Sequence, residues 1–129
     1  MAHQAAPGHD NTAGLATISA NKPPKTQGVQ VPRYVTAASG VVYPDGAPFV
    51  VWEFEHLTPA EYTAILTALG LTTSPASVSA PVTLRTVGHD RTTFATYNAT
   101  VVHRKGEDTR YERGLFRRAT FTFTRLEAL

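Results

Sequence analysis

The sequence predicts an α+β domain: a mostly antiparallel, β-sandwich-like set of strands with one flanking α-helix at about 58–69 and an extended N-terminal arm. Three observations lead there. Apolar residues switch abruptly from a period of two to a period of 3.6 within the stretch 49–71. The runs after that helix alternate apolar and polar residues with no second helical pattern between them, which excludes repeated βαβ units. The first thirty residues sustain neither period, so the chain divides into an arm, 1–30, and a single β-rich domain, 31–129.

The stretch 49–71 has the sharpest boundaries. Val50, Trp52 and Phe54 share one face of a strand, and Val51, Glu53 and Glu55 take the other. Thr58 is placed to cap the helix that follows, Pro59 occupies the first helical position and Glu61 completes a capping box. Leu57 and Tyr62 are spaced for a hydrophobic staple. Tyr62, Ile65, Leu66 and Leu69 form one helical face, and Gly70 supplies a left-handed stop.

The remaining elements follow in order. Residues 31–35 read as a short extended piece and 37–40 as a loop. Asp45-Gly46 predicts a loose hairpin between 41–43 and 48–54. Residues 72–81 are rich in Ser, Thr, Pro and Ala and read as a loop, 82–87 as a strand and 88–91 as a turn. A longer strand covers 93–102, with Ala95, Tyr97, Ala99 and Val101 on one face. Residues 103–113 form a charged excursion of mixed sign, and 115–126 the last strand, with Ala119, Phe121 and Phe123 together. The expected core is Trp52, Phe54, Tyr62, Ile65, Leu66, Leu69, Tyr97, Phe121 and Phe123.

Composition narrows the function. At 129 residues the chain holds one domain, large enough for a core without covalent staples. It has no cysteine, so disulfide frameworks and thiolate metal sites are excluded. No apolar run reaches the ~20 residues of a membrane helix. The N-terminus lacks an apolar leader, so classical secretion is not expected. A formal net charge of +2 is too small to predict nucleic-acid binding by itself.

No constellation for catalysis stands out. His3, His9, His56, His89 and His103 are scattered, without the spacing of a metal site. No nucleophile elbow, Walker or dinucleotide pattern occurs. Neither an enzyme nor a cofactor is expected. Asn98-Ala99-Thr100 matches a glycosylation acceptor by pattern alone, and a solvated strand position is the default reading. Glu53 and Glu55 read as an exposed strand face. Arg104, Lys105, Arg110, Arg113, Arg117 and Arg118 with Tyr111 and Phe116 could form a nucleic-acid patch, but Glu107, Asp108 and Glu112 cancel half of that charge. Arg117 and Arg118 should also point to opposite faces of their strand. A specific nucleic-acid ligand is therefore not expected. Contact with a neighbouring subunit is the preferred use of Arg104, Lys105, Glu107, Asp108, Arg110, Glu112 and Arg113.

The succession Val51-Trp52-Glu53-Phe54, Leu57-Thr58-Pro59-Ala60-Glu61-Tyr62, Val82-Thr83-Leu84-Arg85, Tyr97-Asn98-Ala99-Thr100-Val101 and Arg113-Gly114-Leu115-Phe116-Arg117 resembles small virion proteins of tailed bacteriophages, tail-tube and distal-tail building blocks in particular. The resemblance covers about 34–126. It implies a β-sandwich with a flanking helix, homo-oligomeric rings, and loops or arms that reach other virion proteins. It carries over no catalytic residue. The expectation is a structural subunit located in the virion, a tail component assembling into rings or a tube, with the 1–30 arm and the 103–113 loop making contacts. The alternatives are a capsid decoration or cement protein whose arm lies on neighbouring subunits, and, less favoured, a nucleic-acid-binding module.

Overall fold

The computed structural model describes residues 3–18, 23–88 and 90–129, so His89 and the middle of the predicted arm lie outside the described residues. In chain order the elements are β1 (Gln4–Pro7), a 3₁₀ turn (Thr12–Gly14), β2 (Ala16–Thr17), β3 (Arg33–Thr36), β4 (Val42–Asp45), β5 (Val50–Leu57), α1 (Pro59–Ala68), β6 (Ser79–Val87), β7 (Phe94–Val102), β8 (Arg110–Glu112) and β9 (Leu115–Ala128). One sheet runs β2-β1-β6-β7-β9-β5, with β8 attached to β9, and a separate two-stranded sheet joins β3 to β4. Every strand pair is antiparallel. The domain is therefore mostly antiparallel β with one helix, as the alternation of the sequence implies.

The large sheet curls onto itself. β5 and β6 stand three places apart in its order. Nonetheless the Trp52 indole N–H on β5 donates to the Thr86 hydroxyl on β6 at 3.0 Å. The His3 ring, just before β1, meets Trp52 edge-on at 5.4 Å between ring centres. The concave face is thus filled by its own side chains: Val50, Trp52, Phe54, Leu84, Val101, Phe121 and Phe123 are all fully or almost fully buried. Burial on this scale, at roughly 1.5–3 kcal/mol for each large apolar side chain, is what holds the sheet bent. A slip of one residue between β7 and β9 at Asn98/Thr100 helps the bend, and Arg125 takes up the extra residue at φ 53°.

Helix α1 packs on the core through Tyr62, Ile65 and Leu66. Its start is the capping box read from the sequence: Thr58 Oγ1 accepts from the Glu61 N–H at 3.3 Å, and Glu61 Oε1 accepts from the Thr58 N–H at 3.0 Å. Its end is a Schellman turn, with Leu71 N–H bonded to Leu66 O and Gly70 N–H to Thr67 O. Gly70 sits at φ +76°, and a Cβ there would lie 3.2 Å from Pro7 Cβ on β1, so both backbone conformation and space favour glycine. All nine expected core residues lie in or against the apolar cluster, and Tyr97 alone among them is only half-buried.

Three expectations are corrected. Residues 4–7 do not extend away as an arm. They form β1, bonded along β6 from Gln4↔Arg85 to Pro7↔Val82, and Ala5, Ala6 and Ile18 are buried. The Asp45-Gly46 hairpin does not form. Residues 42–45 pair backward with 33–36, and β5 pairs with β9 instead. Asp45 is held by Arg33 across the β3–β4 pair, which commits it to that strand rather than to a turn. Asn98 is buried, not solvated: its amide accepts from the Asp10 N–H at 2.9 Å and donates to Asp10 Oδ1 at 3.0 Å.

Candidate assembly surface

Two outer regions bear on function, the charged segment 103–113 and the β3–β4 hairpin. The charged segment is anchored by a buried residue. His103 has no exposed surface, although the sequence reading placed it at the head of a charged run. Its Nδ1 lies 2.7 Å from the Thr120 carbonyl, which can only accept, so Nδ1 carries the proton. Nε2 of the neutral ring then accepts from the Tyr62 hydroxyl at 2.6 Å. The ring also stacks on Phe121 at 4.2 Å. Burial holds the His103 pKa below its ordinary value, a fall opposed by the Thr120 hydrogen bond and the nearby Asp108 charge. Burial, with Asp108 adding to it, pushes the Tyr62 hydroxyl up to about 12. Helix and sheet are thereby pinned together through two neutral partners.

Outward from this pin, the seven predicted contact residues divide in two. Arg104, Lys105, Glu107 and Asp108 are used within the chain. Asp108 accepts from the Arg104 backbone N–H at 2.7 Å, and the Arg104 guanidinium lies 3.4 Å from Glu107 and 3.9 Å from Asp108. Lys105 Nζ donates to the carbonyls of Ser74 and Ser77 at 2.9 and 2.6 Å, tying this segment to the loop after the helix. Its pKa is lowered by burial. Arg110, Glu112 and Arg113 lie on or beside β8 and are exposed, as Arg104 and Glu107 also are. Arg110 and Glu112 approach at 3.8 Å, a pair that contributes little at such exposure.

Behind β8, a cleft of about 270 Å³ is lined by Glu55, His56, Arg110, Glu112, Arg117 and Arg118. Arg117 and Arg118 both reach it, contrary to the alternation expected of a strand. Arg118 adopts φ 53° and interrupts the β5–β9 pairing between Phe54↔Ala119 and His56↔Arg117, which turns its side chain to the same side. Arg117 Nε is buried without a hydrogen-bond partner among the described residues. Among the described residues, no three metal-ligating side chains converge anywhere, and no helix is long and apolar enough to cross a membrane.

The hairpin is the feature that sequence reasoning missed. β3 and β4 pair from Arg33↔Asp45 to Thr36↔Val42, closed by a turn in which Ala37 N–H donates to Val41 O at 2.8 Å and Gly40 takes φ +88°. Tyr34, Val41, Val42 and Tyr43 are 64, 61, 58 and 46 % exposed, four of the seven large apolar residues left outside among the described residues. An isolated two-stranded hairpin is marginally stable in water, and this one exposes large apolar side chains on both faces, Tyr34 and Val42 on one and Val41 and Tyr43 on the other. The available signal was Gly40 between two β-branched runs, and the stronger Asp-Gly pair outweighed it.

Set against family models, curated proteins and solved structures, the chain matches none.

Proposed function

We propose that this chain is a structural subunit of a phage particle, a tail component that self-assembles into rings or a tube. The phage setting is supported by the resemblance of its strand and helix-start segments to small virion proteins. The single observation that carries self-assembly is the β3–β4 hairpin, a separate sheet that stands outside the core with four exposed large apolar side chains. A contact of this kind serves building blocks that meet in many copies, because a symmetric array satisfies every hairpin at once. The partners are further copies of the chain and other virion proteins, and the location is the virion.

The test is the mass of the purified protein by light scattering after size exclusion. Assembly gives species many times the 13.9 kDa of one chain. A single-chain mass at every concentration overturns the reading. Binding of such a monomer to preformed shells would then assign the chain to capsid decoration.

A further inference from the structure

The hairpin has two outer edges, and they differ in the donors they offer a strand. Ala37 N–H bonded to Val41 O makes 37 and 41 a hydrogen-bonded pair. Bonded and non-bonded pairs alternate along an antiparallel ladder. Val35↔Tyr43 and Arg33↔Asp45 are therefore bonded pairs, whereas Thr36↔Val42 and Tyr34↔Pro44 turn their backbone groups outward. On β4 the outward position 44 is proline and has no N–H, a common guard of an edge. On β3 the outward residues, Tyr34 and Thr36, both keep donor and acceptor, and neither finds a partner among the described residues.

A second open edge lies on β8. Arg113 and Gly114 both have positive φ, 51° and 78°, as a two-residue type I′ turn requires. Glu112↔Leu115, which flanks that turn, is a bonded pair, so Tyr111↔Phe116 is not, and Tyr111 points its N–H and C=O away from β9. Tyr111 is 61 % exposed.

We infer that β3 of one copy adds antiparallel to β8 of the next, with Tyr34 opposite Tyr111 and Arg33 opposite Glu112. The inference rests on the proposed self-assembly and names its joint. In this register the outward groups of Tyr34 and Tyr111 bond reciprocally. The next pair, Arg33 and Glu112, is a non-bonded one in which side chains approach closest, and it brings opposite charges together. Pairing β3 with β3 would place no acid opposite Arg33 and would stop at a dimer. Joining two different edges is head-to-tail and propagates into a ring or filament. Alternation puts Tyr34 and Val42 on one face of the hairpin and Val41 and Tyr43 on the other, so an added strand meets apolar side chains on both sides of the joint. Residues 38–44, exposed throughout, and Tyr111 extend the contact.

The absence of cysteine makes a direct test available. Chains carrying Tyr34→Cys are mixed with chains carrying Tyr111→Cys and oxidised. A covalent dimer from the mixture, and from neither variant alone, is the expected result. Dimers from Tyr34→Cys alone overturn the head-to-tail joint in favour of a β3–β3 contact. No covalent dimer from a mixture that still forms particles overturns this edge pairing and leaves self-assembly standing. A wild-type protein of single-chain mass overturns both. Tyr34→Pro supplies an independent arm, since it removes the outward N–H that this register bonds to Tyr111 and spares the bonds inside the hairpin. Its mass should fall to 13.9 kDa with the melting temperature unchanged, and a large mass retained counts against the joint.

Discussion

The strands β5 and β9 and the hairpin β3–β4 are built from similar residues and meet opposite fates. β5 and β9 turn Trp52, Phe54, Phe121 and Phe123 onto a concave face where each is almost completely buried. β3 and β4 carry Tyr34, Val35, Val42 and Tyr43 in a separate two-stranded sheet, where Val35 is half-buried and the other three stay exposed. Apolar content alone therefore does not say whether a strand stabilises its own chain. What decides is whether a second layer exists to cover it: the curled sheet and α1 provide one for β5 and β9, and the hairpin leaves Tyr34, Val42 and Tyr43 exposed. The difference separates residues that hold the fold from residues that remain available to a neighbour.

Substitutions in the two regions should separate in the same way. The largest effect is expected from Phe121→Ala, which empties the centre of the core and should lower unfolding stability by about 3–5 kcal/mol in denaturant titration. A loss below about 1 kcal/mol would mean that the sheet is not closed around that ring.

Next comes Tyr62→Phe. It leaves His103 Nε2 buried without its donor and should cost about 1–3 kcal/mol. The same site sets a pH dependence. His103 has a folded pKa below its ordinary value, so its contribution is present above the usual histidine range and is lost as pH falls through the folded pKa. Tyr62 has a folded pKa raised to about 12, so its contribution is intact below pH 10 and fades as pH rises toward 12. Melting temperature should decline on both sides, and His103→Asn should flatten the acid side. An acid limb unchanged by that substitution would place the titrating group elsewhere.

Thr58→Ala should cost about 1 kcal/mol by removing the cap acceptor. The smallest effect on stability belongs to the hairpin. Val42→Lys with Tyr43→Lys should change unfolding free energy by no more than about 0.5 kcal/mol. The particle mass should nonetheless collapse. A marked loss of stability would show that the hairpin supports its own core, which would erase the contrast.

The core half of this contrast was legible in the sequence, and the surface half was not. β5 and α1 were readable because strict alternation ends at a Thr-Pro-x-Glu cap, and local bonds then decide the outcome. β1 was missed because the residues it buries are Ala5 and Ala6, too small to make an apolar run, and its partner β6 lies far along the chain. The hairpin was missed because Asp45-Gly46 is a stronger local turn signal than Ala-Ala-Ser-Gly, and Arg33 draws Asp45 into β4. Of the contact residues expected from 103–113, Arg104, Glu107, Arg110, Glu112 and Arg113 are exposed while Lys105 and Asp108 are half-buried, and the place of Lys105 depends on where the loop after α1 sets the Ser74 and Ser77 carbonyls.

The docking of β1 against β6 has a consequence in time. Gln4 precedes its partner Arg85 in the chain, and Arg85 is made only after the helix and β5. During synthesis β6 therefore finds β1 already made, while β5, bridged until then by Lys25 at Glu53 and flanked by the Gln30–Phe49 bridge, gains its ladder only once β9 is complete. Such long-range closures are slow, because loop entropy is lost before contacts repay it. The chain should thus spend its nascent life with Trp52 and Phe54 uncovered, and slower translation of 115–128 would prolong that exposure.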